Sequence, residues 1–311
     1  MGSILTTYAN SNARLNGKTA VITGGNGGIG KVTAKDFFER GARVIIACRN
    51  LSKGQEAVDD IKSQCKDKKN LGELQIVELD LSSLKSVRKC AKELLDTEGQ
   101  INLLINNAGI MMLPELTKSE DGYEMQFATN HLGHFLLTML LMPKIMQSTP
   151  ARIVNVSSLM HHFACSLDMD DLNFEKSKYG PTAAYNRSKL SNVLFSKELA
   201  RQLEEHNVQG INVYSLHPGA INSNLQQHVS GVFMDFSKKF FFKSVEQGAQ
   251  TTIYCATHEN CADETGRYYA ECKPTWSSKT SNDLELAKNL WKTSLKMCGL
   301  QEDYNPFESH L

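Results

Sequence analysis

Tyr185 and Lys189 stand four residues apart in the segment Tyr185-Asn186-Arg187-Ser188-Lys189. On a helix that spacing puts a phenol and an ammonium on one face, about 6 Å apart along the axis at ~1.5 Å per residue. A tyrosine hydroxyl ordinarily ionises near pH ~10, and a cation one turn away favours its phenolate. The pair therefore has the parts needed to move a proton to or from an alcohol or carbonyl oxygen. The same spacing also describes an ordinary solvated helix face, so the surrounding segments must decide. Upstream, the apolar run Arg152 to Val156 ends in Ser157 and Ser158. Neighbours on a strand point to opposite faces, so only one of these hydroxyls can share a site with the tyrosine.

A second constellation is Thr23-Gly24-Gly25-Asn26-Gly27-Gly28-Ile29-Gly30, between the apolar run Lys18 to Thr23 and a helical pattern reaching Arg40. Backbone N–H groups at a helix start bind a pyrophosphate, and glycines let it approach closely. Two registers fit, Gly25/Gly27/Gly30 or Gly24/Gly28/Gly30, and the pattern alone does not choose between them. The next apolar run ends in Ala47-Cys48-Arg49, with arginine where a fold preferring NAD carries an acid. A guanidinium suits a 2′-phosphate, so the cofactor expectation is NADP(H).

The elements that must position these groups alternate. Short apolar runs at 18–23, 43–48, 74–79, 101–105, 152–156, 211–216 and 266–270 are separated by helical patterns, including a long one over 119–145 and another over 182–206. This alternation predicts an α/β fold, a doubly wound parallel sheet of about seven strands with helices on both faces. No linker divides the chain, so one domain is expected over 15–298, with tails at 1–14 and 299–311.

The composition narrows the function classes. Lysine plus arginine equals aspartate plus glutamate, 34 each in 311 residues, which argues against a nucleic-acid partner. The eight cysteines show no paired metal-ligand spacing and read as reduced, mostly buried thiols. His131, His134, His161 and His162 lack carboxylate or thiol neighbours at ligand spacing and read as ordinary histidines, so no metal is expected. No apolar run reaches the ~20 residues of a membrane span, and residues 1–17 lack a signal-peptide core. The expectation is a cytoplasmic protein. Ser309-His310-Leu311 offers a peroxisomal alternative, and Met1-Gly2-Ser3-Ile4-Leu5-Thr6 fits a loose acylation pattern.

Taken together, these segments resemble the short-chain dehydrogenase/reductase superfamily, over about Leu15 to Met297. The resemblance implies a Rossmann fold and selects the register Thr23, Gly24, Gly28 and Gly30, with Asn26 and Ile29 in the same cofactor loop. Further segments match in order. Asp80-Leu81 resembles the adenine contact, and Asn107-Ala108-Gly109 the segment beside the adenine pocket. Pro218-Gly219 resembles the turn near the nicotinamide. Asn130, Ser158, Tyr185 and Lys189 match the catalytic set, with Tyr185 and Lys189 also contacting the cofactor. The roles implied are proton transfer by Tyr185, a lowered Tyr185 pKa and ribose contact from Lys189, hydrogen bonding of the substrate oxygen by Ser158, and a water held by Asn130.

Ala47-Cys48-Arg49-Asn50, Glu246 to Thr251 and Leu290-Trp291 resemble the retinol dehydrogenase-like branch. An N-terminal membrane anchor like that of many such enzymes is not expected from residues 1–17. The turn after Gly219 reads Ala-Ile-Asn-Ser-Asn, without the threonine common there. The implied function is NADP(H)-dependent hydride transfer between the nicotinamide and a lipophilic alcohol or carbonyl, retinol or retinal first. A broad reductase of steroid, terpenoid or fatty aldehyde substrates is the alternative, and a non-catalytic dinucleotide-binding protein is the reading from another class. A substrate lid is expected at about 220–243, where Phe233, Met234, Phe236 and Phe240 to Phe242 suit an apolar substrate. Lys238 and Lys239 there suit peripheral membrane contact. Family analogy implies a homo-oligomer. Ser158 precedes Tyr185 by 27 residues, about twice the gap common among relatives, so residues 160–179 must loop out for the two to meet.

Overall fold

A computed structural model describes residues 7–164, 166–220 and 243–308. The greater part of the expected lid, the acylation pattern and Ser309-His310-Leu311 lie outside the described residues.

Strands β1 (Thr19–Thr23), β2 (Arg43–Cys48), β3 (Glu73–Glu78), β4 (Leu103–Asn106), β5 (Ala151–Val156), β6 (Ile211–His217), β7 (Arg267–Ala270) and β8 (Lys273–Pro274) form one sheet in the order β3-β2-β1-β4-β5-β6-β7-β8. All pairings are parallel except the last. The sheet has eight strands rather than about seven. The extra one is a two-residue antiparallel edge, too short to leave a periodic signal. Strand order reverses between β1 and β4, the switch point at which such sheets open a crevice beyond their carboxyl ends.

Side chains alternate across the strands, so the sheet feeds two cores. Val21, Ile45, Leu104 and Ile153 pack on one face with helices α3 (Leu84–Thr97), α5 (Gly133–Met146), α6 (Pro181–Glu205) and α8 (Leu284–Met297). Ile22, Ile46, Ile105 and Val154 pack on the other with α1 (Gly28–Glu39), α2 (Leu51–Gln64) and α7 (Val245–Thr257). Burial on both faces explains why β1, β2 and β4 read as unbroken apolar runs. Residues 7–14, expected as a tail, lie against α1 and α7: Ala9 and Ser11 are buried, and Ser11 Oγ donates to the Thr257 carbonyl.

One long helix is corrected. Residues 119–124 are a turn and not helix: Gly122 takes φ +85°, and Lys118 bridges Glu124 in antiparallel fashion. The helix starts at α4 (Met125–Phe127), capped by the Glu124 carboxylate, which accepts the N–H groups of Gln126 and Phe127. It widens into a π-turn over Ala128–Leu132 and continues as α5 through Pro143 to Met146. A π-turn inside a helix is rare and is a recurrent marker of functional positions; this one carries Asn130.

Close packing pins that turn to the sheet. A Cβ placed on Gly133 would lie 2.4 Å from the Leu81 carbonyl oxygen, in the loop after β3. Main chain cannot yield as a side chain can, so Gly133→Ala is expected to destabilise the fold by about 1–3 kcal/mol. Urea unfolding of the variant measures this, and an unchanged midpoint would contradict the packing.

Candidate active site

Every parallel strand from β1 to β6 delivers a candidate residue at its carboxyl end. The loop after β1 holds Gly24, Asn26, Gly28, Ile29 and Gly30. Arg49 follows β2, Asp80 and Leu81 follow β3, and Asn107, Ala108 and Gly109 follow β4. Ser157 and Ser158 follow β5, and Pro218 and Gly219 follow β6. The topology gathers residues up to 195 positions apart, Gly24 to Gly219, at one sheet edge.

The glycine loop is shaped for close backbone approach. Gly24 has φ +64°, and a Cβ there would meet the Ala108 Cβ at 3.0 Å. Gly30 is tighter, since its Cβ would fall 2.4 Å from the Gly24 carbonyl oxygen. Gly27 and Gly28 instead face open space. Helix α1 starts there with no side-chain cap and no acid in its first turn. Its first N–H groups thus remain available to an anion. The donors and the room fit a dinucleotide pyrophosphate. At the far end of the crevice Arg49 is 78% exposed, with Nη1 3.9 Å from Asp80 Oδ2. Asp80 itself is held by Ser82, whose N–H and hydroxyl both donate to Oδ1.

Tyr185 and Lys189 lie in the first turns of α6 and are each only 4% exposed. Lys189 Nζ is 5.7 Å from the centre of the Tyr185 ring and donates to the Val156 carbonyl at 3.1 Å. The Ser158 side chain lies within reach of the Tyr185 phenol and favours its ionised form. The 27-residue gap is accommodated by a 3₁₀ turn at Leu159–Phe163 and by the ordered turns beyond it. In those turns the Asp171 carboxylate accepts the N–H groups of Lys176 and Ser177, and Tyr179 donates to the Leu113 carbonyl.

The expected direction of the tyrosine shift is corrected. Burial pushes the Tyr185 phenol up to about 12, with the Ser158 hydrogen bond opposing, and burial pushes the Lys189 ammonium down to about 8. Removing both groups from water costs their charged forms more than the distance between them returns. At neutral pH the pair is thus a phenol beside an ammonium.

Asn130 is fully buried at the π-turn. Its side chain clamps two elements: Oδ1 accepts the Ile110 N–H at 2.8 Å, while Nδ2 donates to the Ile110 carbonyl at 3.0 Å and to Ser188 Oγ at 2.9 Å. Gly109 sits between Asn130 and Lys189, since a Cβ there would be 3.2 Å from Asn130 Oδ1 and 3.5 Å from Lys189 Nζ. Two residues outside the expected catalytic and cofactor-binding sets join this network. The Thr23 hydroxyl accepts the N–H groups of Asn107 and Ala108, and buried His134 contacts both Thr23 and Asn130. Thr23 was visible as the first residue of the glycine motif. His134 carried no signal beyond its spacing from Asn130.

Comparison with known proteins agrees with this geometry. A family model described as short chain dehydrogenase matches residues 18–167. Human retinol dehydrogenase 12 is 43% identical over 94% of this chain and 89% of its own length. The chain belongs to the short-chain dehydrogenase/reductase family, in its retinol dehydrogenase-like branch. Human retinol dehydrogenase 13 is 42% identical over 94% of this chain and 87% of its own length. Among solved structures, an uncharacterised protein from Mycobacterium paratuberculosis superposes with TM-score 0.76 at 32% identity, covering 96% of this chain and 99% of the other. The Pseudomonas aeruginosa RhlG/NADP complex superposes with TM-score 0.63 at 25% identity, covering 83% and 96%.

In this dehydrogenase the two adjacent serines have separate tasks. Ser157 is buried and its hydroxyl donates to the Lys189 carbonyl at 2.7 Å, tying β5 to α6. Ser158 is half-buried, and its side chain acts on the Tyr185 phenol. Ser158→Ala is therefore expected to lower turnover by roughly a hundredfold with little change in the melting temperature, and Ser157→Ala to lower the melting temperature first. Kinetics and thermal unfolding of both variants read this, and the reverse order would refute the assignment.

Proposed function

We propose that this dehydrogenase reduces a lipophilic carbonyl compound with NADPH, reversibly, and that retinal and retinol are its first candidate substrate pair. The observation that carries the chemistry is the buried phenol of Tyr185, within reach of Ser158 and one helical turn from Lys189. When bound, the nicotinamide supplies or accepts the hydride. The protein's part is position and proton handling. Ser158 holds the substrate oxygen by a hydrogen bond, Tyr185 gives that oxygen its proton, and Lys189 stabilises the phenolate left behind. Lys189 also contacts the cofactor ribose, and Asn130 holds the water that links Lys189 to solvent. Gly24, Asn26, Gly28, Ile29 and Gly30 receive the pyrophosphate. Asp80, Leu81 and Asn107 to Gly109 line the adenosine side, and Pro218 and Gly219 the nicotinamide side. With the phenol protonated at neutral pH, the protein is poised as the proton donor, which is the reductive direction.

The retinoid assignment is supported by the relatives, whose names are retinol dehydrogenases at 42–43% identity. Steroid, terpenoid and fatty aldehydes are the rival substrates. A screen of retinal, steroid ketones and aliphatic aldehydes with NADPH and NADH tests the reading, with Tyr185→Phe as the control. Retinal reduction that survives Tyr185→Phe would refute the mechanism. The pH dependence adds a sign. Lys189 is cationic below about 8 and neutral above it, while Tyr185 keeps its proton to about 12. Reductive kcat/KM, which reports the free enzyme, should hold steady below pH 8 and then fall about tenfold per pH unit. A rise above pH 8 would contradict this ordering.

The preference for NADPH rests on Arg49, free of any acid at the tip of β2 and only loosely paired, at 3.9 Å, with Asp80. Its guanidinium suits a 2′-phosphate as fork and as charge. Arg49→Asp should weaken NADPH by roughly a hundredfold and leave NADH nearly unchanged; equal losses in binding titrations would remove the assignment.

A further inference from the structure

His134 is the second residue of α5 and only 2% exposed. Its Nδ1 lies 3.1 Å from the main-chain oxygen of Asn130, and its Nε2 lies 2.8 Å from Thr23 Oγ1. A carbonyl oxygen can only accept, so Nδ1 carries the ring proton. The neutral ring then accepts at Nε2, and the Thr23 hydroxyl is its donor.

That hydroxyl has nothing left over. It accepts the N–H of Asn107 at 2.9 Å and of Ala108 at 3.0 Å, which uses both lone pairs. Its single proton points to His134; the other acceptor within reach, the Ile105 carbonyl, is at 3.4 Å. A doubly protonated ring would aim an N–H at an oxygen with no lone pair to give. Burial pushes His134 down to about 4, which agrees with a permanently neutral ring. At the other nitrogen, the Asn130 side chain is already engaged by Ile110 and Ser188. Only its main-chain carbonyl is left to serve the site, and His134 occupies one of the two lone pairs there.

We propose that His134 is a positioning residue: one imidazole, held in one tautomer, fixes both the Thr23 hydroxyl that shapes the dinucleotide turn and the Asn130 carbonyl of the π-turn. The two halves of the site, cofactor and proton handling, are then set by a single side chain that touches neither substrate nor cofactor. The proposal rests on the dehydrogenase reading given above.

Three variants test it. His134→Phe keeps a ring of similar size and removes both hydrogen bonds. His134→Gln retains one donor and one acceptor. Thr23→Val removes the hydroxyl that His134 accepts. Dissociation constants for NADPH and NADH are read by fluorescence titration, kcat by carbonyl reduction, and folding by circular dichroism.

His134→Phe should weaken the preferred dinucleotide roughly fivefold and lower kcat roughly tenfold, the scale of one or two lost buried hydrogen bonds. His134→Gln should recover most of both. Thr23→Val should weaken the dinucleotide alone, and the double variant Thr23→Val/His134→Phe should bind no more weakly than the worse single variant. Multiplicative losses in the double variant, unchanged binding and kcat in His134→Phe, or a folded His134→Gln no better than His134→Phe would each overturn the proposal. If His134→Phe does not fold, the cycle of Thr23→Val with His134→Gln reads the same coupling. Wild-type protein binding neither dinucleotide would overturn the functional reading as well, whereas wild-type binding and turnover with an indifferent His134 would overturn this inference alone.

Discussion

The reversal of strand order between β1 and β4 is the constraint on which this site depends. The chain runs outward from β1 to β3, crosses back once through α3 to β4 and runs outward again to β8, so the loops after β1 and β4 lead to opposite faces of the sheet. The loops on either side must be joined by side chains. Thr23 does this, since its hydroxyl and main-chain carbonyl take three donors from Asn107 and Ala108 across the gap. Once that joint is made, the surrounding backbone has little freedom. Gly24 is pressed against Ala108 and Gly30 against Gly24, and neither contact leaves space for a Cβ. The glycines that admit a phosphate are thus also what allows the joint to close.

The electrostatics of Tyr185 and Lys189 follow from their depth. A pair on the surface would show the shift expected from spacing alone, with the ammonium lowering the phenol. Here both side chains are almost fully buried, and the cost of keeping charge out of water exceeds their attraction at 5.7 Å from ammonium to ring centre. This is useful for catalysis by differential stabilisation. In the proposed reaction the resting pair carries one charge, and the phenolate would appear only as the proton leaves, beside an ammonium already in place. Interactions that strengthen along the reaction lower its barrier, whereas those equal in both states do not.

Much of this was legible in the sequence because the decisive groups are tied to local patterns. Glycines at a strand-to-helix turn, residues at strand ends and a four-residue helical spacing survive in one dimension. The rest depended on contacts across the fold. The turn at 119–124 reads as the start of the helix that follows it, but Gly122 and the Lys118–Glu124 bridge hold it as a turn. Ser157 and Ser158 were separable by alternation, yet which one met Tyr185 depended on how α6 lies on β5. His134 reads in the sequence as an ordinary histidine. Its two partners stand 111 residues upstream and one helical turn away, and nothing in the sequence relates them.

The long segment between Ser158 and Tyr185 is tied to the same framework. Gln126, fully buried, accepts the Met112 N–H at 2.7 Å and donates to the Tyr179 hydroxyl and the Pro181 carbonyl, each at 3.1 Å. It thereby holds the loop after β4, the end of the inserted segment and the start of α6 to one point. That point lies four residues before Asn130, on the same short helix. Arg187 adds a second tie, stacked 4.3 Å over Phe174 and bonded to the Asp171 carbonyl. The second half of the segment is thus tied both to α4 and to the helix that carries Tyr185. These ties gather at residues 171–181, whereas Leu159 and Phe163, ahead of them in the chain, are exposed.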